Sequence, residues 1–259
     1  MRNPIIAALL LGLSLLSPAS WAAIDAAEAM NLSGMQRMLS QRIAKSYLMI
    51  GAEVRPDLAA EQLDQSIAKF ESNYLALSDY APTAQIRTAL EDAGHTWQRY
   101  RELALTRPDK QTAPNLLALS DQLLMQSENL VQLLERHSGS QEARLVNRSG
   151  RQRMLSQRIA KLYLAMSWRL PVAGLQEAFD QAVKEFDLTL LELQQAGQNT
   201  TAIAKGLQQA EAQWRFSRAG FKLSSDSRYV PTVIATTSET LLWQMNDLTN
   251  QYQRLMAGS

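Results

Sequence analysis

Apolar residues recur at steps of three and four along most of the chain beyond residue 24, a spacing that places them on one face of an α-helix. Proline, glycine and serine interrupt this spacing and divide it into eight segments. The predicted helices span about 25–51, 57–79, 83–106, 113–137, 141–169, 173–196, 199–224 and 229–257. None of these segments shows strand alternation or a hairpin signal. The pattern therefore predicts an all-α protein.

The second half of the chain repeats the first. Residues of the same type at corresponding positions include Phe70 and Phe186, Trp97 and Trp214, Leu123 and Leu241, and Leu130 and Leu248. Four helices of about 20 to 28 residues joined by short loops are typical of an antiparallel up-down-up-down bundle. We therefore predict two tandem four-helix units, 23–140 and 141–259. Because Gly139 is only a weak helix breaker, one long helix joining the units stays open as an alternative.

The strongest identity lies at the start of each unit. Of the 19 residues from Asn31 to Met49, 15 recur without a gap from Asn147 to Ala165. The shared pattern is Asn-x-Ser-Gly-x-Gln-Arg-Met-Leu-Ser-Gln-Arg-Ile-Ala-Lys-x-Tyr-Leu. Solvated polar residues usually change at little energetic cost, so packing alone does not explain why these arginines, glutamines and lysines recur. The repeat is the best indication of function in the sequence.

A helical projection separates the repeat into two stripes. The first, which we predict to face the bundle core, consists of Leu32, Met35, Leu39, Ile43, Ser46 and Ile50. The second, called the motif stripe, consists of Gly34, Arg37, Gln41, Ala44 and Leu48, and its copy consists of Gly150, Arg153, Gln157, Ala160 and Leu164. The two motif stripes match at every position, whereas the core stripe differs at several. We infer that something other than water contacts the motif stripe.

The simplest partner for a motif stripe is its own copy, across an approximate two-fold axis within the chain or a true one in a homodimer. Such pairing would bring Arg37 and Arg153 together, and neither guanidinium can readily lose its proton. An anion between them would replace their repulsion by two charge-assisted contacts. The residues that we expect to shape this contact are Ser33, Gly34 and Gln41, with their copies Ser149, Gly150 and Gln157.

The alternative is that the basic residues of the repeat pair with carboxylates of neighbouring helices. Such a structural role suits Arg42 and Arg158 best, because they lie nearer the core stripe. Lys45 and Lys161 flank the motif stripe and are candidates for either role.

Composition excludes several classes of function. The chain has no cysteine, which rules out disulfides, thiol nucleophiles and cysteine metal sites. Its two histidines, His95 and His137, have no carboxylate at metal-ligand spacing, and no catalytic triad or phosphate loop is recognisable. We therefore expect no metal, no cofactor and no catalytic residues. Without residues 1–22 the chain carries 25 basic and 25 acidic residues, which argues against nucleic-acid binding.

The first 22 residues have the layout of a secretory signal. Arg2 precedes an apolar run over 5–16, and Pro18, Ser20 and Ala22 follow it. We expect cleavage after Ala22 and export to the periplasm, with an uncleaved N-terminal anchor as the alternative. No later stretch approaches the roughly 20 apolar residues of a transmembrane helix.

The repeated string, with Gln-Arg-Met-Leu-Ser-Gln-Arg-Ile-Ala-Lys at its centre, resembles the periplasmic sensor domain shared by PilJ-like type IV pilus chemotaxis transducers and NarX-like nitrate/nitrite sensor kinases. In the nitrate sensors, the arginine three residues after the motif glycine binds the anion at a dimer interface. That position corresponds to Arg37 and Arg153. The sensors have an aromatic residue where this chain has Gln41 and Gln157. They also continue into a membrane helix and a signalling module, and we expect neither after Ser259.

The resemblance implies an exported, non-enzymatic sensory protein, for which there are two hypotheses. In the first, a nitrate-like or nitrite-like oxyanion binds between the two motif stripes. In the second, the stripes dock on a membrane chemoreceptor or sensor kinase, and the protein binds no ligand of its own. In both cases a partner protein would pass on the signal.

Overall fold

The computed structural model describes residues 24–221 and 229–258, and the predicted signal segment 1–22 lies outside the described residues. The described chain forms eight helices and no strands, which confirms the all-α class. The helices are α1 (Ala26–Gly51), α2 (Pro56–Tyr80), α3 (Ala84–Ala104), α4 (Ala113–Ser138), α5 (Gln141–Ser167), α6 (Leu175–Gln194), α7 (Thr201–Gly220) and α8 (Tyr229–Ala257). None of these helices is long and apolar enough to cross a membrane.

Short polar residues explain where several helices begin. The side chains of Asp25, Thr83, Ser140 and Thr200 each accept a hydrogen bond from the backbone N–H three residues later. Each contact satisfies a donor of the first turn that has no partner within its own helix. Pro56 begins α2, where its missing N–H removes no helical hydrogen bond.

The alternative of one long helix across the two units is wrong. α4 ends before Gly139, whose φ of 66° lies in the left-handed region that ends helices and favours glycine. The chain then reverses, because Glu135 contacts Asn147 near the turn while Asp121 contacts Lys161 far from it. α4 and α5 therefore form an antiparallel hairpin.

The two motif helices lie side by side at the centre of the molecule. α1 packs on α2 and α4, α5 packs on α6 and α8, and α1 and α5 contact each other extensively. α1 is antiparallel to α4, since Tyr47 near the end of α1 bonds Thr112 just before α4. Because α5 is antiparallel to α4 as well, α1 and α5 are parallel. Together with α4 and α8 they form an inner bundle, and α2, α3, α6 and α7 lie outside it.

Equivalent aromatic pairs fill the core of the two units. The ring centroids of Phe70 and Trp97 are 4.0 Å apart, and those of Phe186 and Trp214 are 4.2 Å apart. All four side chains are buried. The same ring contact thus recurs at positions that the repeat aligns.

The predicted core stripe of the first motif helix is correct only in part. Leu39, Ile43 and Ser46 are buried, whereas Leu32, Met35 and Ile50 are half-buried. Every residue of the motif stripe is buried, including its arginine and glutamine. The physical reason is the central position of α1, whose motif stripe packs against the inner bundle and not against solvent.

Candidate anion site between the motif helices

The two motif stripes meet within one chain, where α1 passes α5 at Gly34 and Gly150. A Cβ atom added to Gly34 would lie 3.9 Å from the Cα of Gly150 and 3.3 Å from Nη2 of Arg153. A Cβ added to Gly150 would likewise lie 3.4 Å from Nη2 of Arg37. The glycines therefore allow two helices and two guanidinium groups to occupy the same level of the bundle.

The two arginines make reciprocal contacts with the opposite motif helix. Nη2 of Arg37 donates to the backbone carbonyl of Asn147, and Nη2 of Arg153 donates to that of Asn31, both at 3.2 Å. Both side chains are fully buried. The Nε of each arginine has no hydrogen-bond acceptor among the described residues. The site thus holds two inaccessible cations, each with an unused N–H donor.

The remaining contact of the arginines differs between the units. Nη1 of Arg37 donates to the carboxylate of Glu128 at 2.7 Å, whereas Nη1 of Arg153 donates to the amide oxygen of Asn246 at 2.9 Å. Arg37 therefore has an anionic partner. Arg153 has none among the residues that the structure describes.

The pKa values reflect this difference in pairing. Burial and the neighbouring charge of Arg37 lower the pKa of Arg153 from its ordinary value to about 9. Burial also lowers the pKa of Arg37, although Glu128 acts in the opposite direction. An ionised group that is buried without an opposite charge destabilises a fold by several kcal/mol. Electrostatically, the pair favours the addition of an anion.

The other polar residues expected beside the arginines have partners elsewhere. The hydroxyls of Ser33 and Ser149 each donate to a backbone carbonyl one turn earlier on their own helix. The amides of Gln41 and Gln157 donate to backbone carbonyls of α4 and α8, respectively, at 3.1 Å. Both glutamine contacts tie a motif helix to the last helix of its own unit. They position the helices that carry the arginines.

The other cations of the repeat pair across the two units. Lys45 and Lys161 are fully buried, and burial lowers the pKa of each from 10.5 to about 8 although each faces a carboxylate. Burial alone would raise the pKa of Glu239, but its two cationic partners lower it to about 2. The pairs are Arg42 and Lys45 with Glu239, and Arg158 and Lys161 with Asp121. These four cations thus obtain their counter-charge from the other unit.

Four residues of the site are not indicated by the sequence pattern. Glu128 and Asn246 lie outside the repeated motif, and Asn31 and Asn147 contribute through their backbone carbonyls. A backbone contact leaves no signal in the sequence. The offset that aligns Leu123 with Leu241 also aligns Glu128 with Asn246, so the sequence identifies one of them once the other is known to contact an arginine.

Comparison with known proteins assigns the family. The PilJ family model, described as the N-terminal part of the type IV pili methyl-accepting chemotaxis transducer, matches residues 19–123 and 136–228. The chain belongs to the PilJ family. Each matched segment of this PilJ protein contains one copy of the repeated motif. No curated protein and no solved structure matches the chain.

Membership fixes the general role of this PilJ protein. The family comprises the sensory, non-catalytic N-terminal domains of chemotaxis transducers, which are typically periplasmic. The PilJ chain described here therefore has a sensory role in signalling.

Proposed function

We propose that this protein is a periplasmic sensory protein that binds a small oxyanion between α1 and α5. The observation that carries the proposal is Arg153, a fully buried guanidinium without a carboxylate partner among the described residues. A bound anion would supply the missing charge. Nitrate and nitrite are the first candidates, because Arg37 and Arg153 occupy the positions of the anion-binding arginines in the nitrate sensors that the motif resembles.

The chemistry of the two arginines suits a small anion with several oxygen atoms. A guanidinium presents its donors in a rigid plane and can hold two oxygens of one anion at once. The unused Nε donors of Arg37 and Arg153 are available for such contacts. The close approach of Gly34 and Gly150 leaves little space there, so a large ligand does not fit without separating the helices.

Isothermal titration calorimetry tests the proposal directly. The protein is titrated with nitrate, nitrite and chloride, and its melting temperature is recorded across the same concentrations. We expect saturable binding of at least one oxyanion, and a rise in melting temperature, because a ligand that binds only the native state stabilises it. Binding should disappear in the double variant Arg37→Ala plus Arg153→Ala.

Arg144→Ala is the matched control, since it removes an exposed arginine from the same helix as Arg153. Binding should be unaffected in this variant. Absence of binding to the wild-type protein at millimolar anion, or unchanged binding in the double variant, would refute the proposal.

The second hypothesis, docking on a membrane receptor or sensor kinase, requires a surface other than the motif stripes. Ala44 and Ala160, which were expected to contact a receptor, are fully buried between helices of the same chain. This burial argues against the motif stripes as the docking surface of the folded protein. We propose that a membrane chemoreceptor or sensor kinase recognises another part of the molecule and passes on the signal.

A further inference from the structure

The two halves of the candidate site differ in charge although the motif helices repeat each other. Glu128 on α4 and Asn246 on α8 occupy equivalent positions, and each contacts the Nη1 of its own unit's arginine. The same replacement occurs two turns farther along these helices. There, Glu135 accepts from the side chain of Asn147, and the equivalent Gln253 accepts from that of Asn31. At both levels α4 carries a carboxylate and α8 carries an amide.

The carboxylate of Glu128 contacts two guanidinium groups, but that of Arg153 is not one of them. Glu128 pairs with Arg37 at 2.7 Å and also with Arg151 at 2.8 Å. Arg151 in turn pairs with Glu185, so its charge is balanced outside the site. Arg153 is the one guanidinium here that lacks an opposite charge among the described residues.

The charges around the site favour a ligand with a single negative charge. One negative charge would balance Arg153. A second negative charge on the same anion would lie close to the carboxylate of Glu128, in a buried region where like charges repel strongly. A symmetric site with asparagine in both units would lack this repulsion.

We infer that Glu128 makes the site selective for monoanions over dianions. The inference rests on the proposed function, and it assigns a specificity role to a residue outside the repeated motif. Asn246 is its neutral counterpart, which leaves the charge of Arg153 available.

The test compares anions of equal shape and different charge. Perchlorate and sulfate are both tetrahedral, and nitrate serves as the planar monoanion. Their affinities are measured by calorimetry for the wild-type protein and for the variants Glu128→Gln and Asn246→Asp. Ratios of affinity are compared between proteins, so the hydration free energy of each anion cancels.

We expect Glu128→Gln to raise the affinity for sulfate, relative to nitrate and perchlorate, by about tenfold or more. Asn246→Asp places a carboxylate beside Arg153 and should weaken nitrate binding by about tenfold or more. The control Glu102→Gln removes an exposed carboxylate on α3 and should leave all ratios unchanged. Thermal melts check that each variant is folded.

The outcomes separate the two proposals. Nitrate binding with the same sulfate-to-nitrate ratio in wild type and Glu128→Gln overturns the specificity inference and leaves the proposed function intact. If Glu128→Gln does not fold, Asn246→Asp decides, and unchanged nitrate affinity in that variant overturns the inference. If the wild-type protein binds none of the three anions, the proposed function fails, and the inference fails with it.

Discussion

Replacing Arg153 by methionine should stabilise the protein in a buffer free of small oxyanions. Burial beside Arg37 lowers the pKa of Arg153 from the ordinary value of a guanidinium, above about 12, to about 9. Each pKa unit corresponds to about 1.4 kcal/mol, so the fold disfavours the charged guanidinium by about 5 kcal/mol. For a base with a lowered pKa, this cost is complete below pH 9 and declines only as the pH rises from there towards the ordinary pKa of a guanidinium. It is therefore fully present at neutral pH.

The substitution also removes two hydrogen bonds, to Asn246 and to the carbonyl of Asn31. Each is worth about 1 kcal/mol net. Methionine keeps a long apolar side chain in the same space and adds no charge. The expected gain is about 2–3 kcal/mol, which corresponds to a rise in melting temperature of about 5–10 °C for a chain of this size.

Differential scanning calorimetry at pH 7 measures this change, with Arg37→Met as the matched control. Arg37→Met should gain less, because it also removes the ion pair with Glu128. Loss of stability in Arg153→Met, or an equal gain in both variants, would show that the charge of Arg153 is compensated in the fold and would remove the main support for an anion site. Addition of an anion that binds the wild-type protein should reverse the order of melting temperatures, so that the wild-type protein becomes more stable than Arg153→Met.

Three further predictions follow from contacts elsewhere in the bundle. Glu239→Gln should reduce the acid sensitivity of the fold. Folding lowers the pKa of the Glu239 carboxyl from 4.5 to about 2, so its stabilising contribution is lost as the pH falls from 4.5 to 2. The difference in melting temperature between wild type and variant should therefore shrink from pH 5.5 to pH 3. Gly51→Ala should cost about 1–3 kcal/mol in urea unfolding, since its Cβ would overlap the ring of Trp168. Tyr100→Phe should cost about 1 kcal/mol in the same assay, because its buried hydroxyl donates to a backbone carbonyl at 2.6 Å.

Each of these predictions has its own contrary result. A wild-type-to-Glu239→Gln difference that is constant from pH 5.5 to pH 3 would contradict the first. Gly197→Ala is the control for the second, because a Cβ there meets nothing within 4 Å, and a loss as large as that of Gly51→Ala would rule out a steric cause. Unchanged stability of Tyr100→Phe would mean that the hydroxyl makes no net contribution to the free energy of unfolding.

Helical periodicity and breakers were sufficient to predict the eight helices. Proline and glycine interrupt an apolar spacing that is otherwise continuous, so the order and approximate length of the helices follow from local sequence. The sequence alone does not decide the turn at Gly139, because a glycine can be accommodated inside a helix at modest cost. The contacts between α4 and α5 along their length resolve it, and they depend on residues far apart in the chain.

The projection identified Arg37 and Arg153 as a pair but misjudged how the helix is buried. Leu32 and Met35 were expected in the core and are half-buried, whereas Arg37 is fully buried. Hydrophobicity predicts burial only when the polar residues face water, and here polar residues face other helices. The partner of Lys45 could not be predicted either, because Glu239 lies in the other unit.

The exchange of counter-charges between the units has a consequence for how the chain can evolve. Asp121 of the first unit neutralises Lys161 of the second, and Glu239 of the second neutralises Lys45 of the first. A unit expressed alone would expose the apolar part of its motif stripe and separate its lysine from the carboxylate that balances it. Loss of either acidic residue would leave a buried lysine in the other unit's motif without its carboxylate. The two copies are therefore constrained to change together, and loss of either half would destabilise the other.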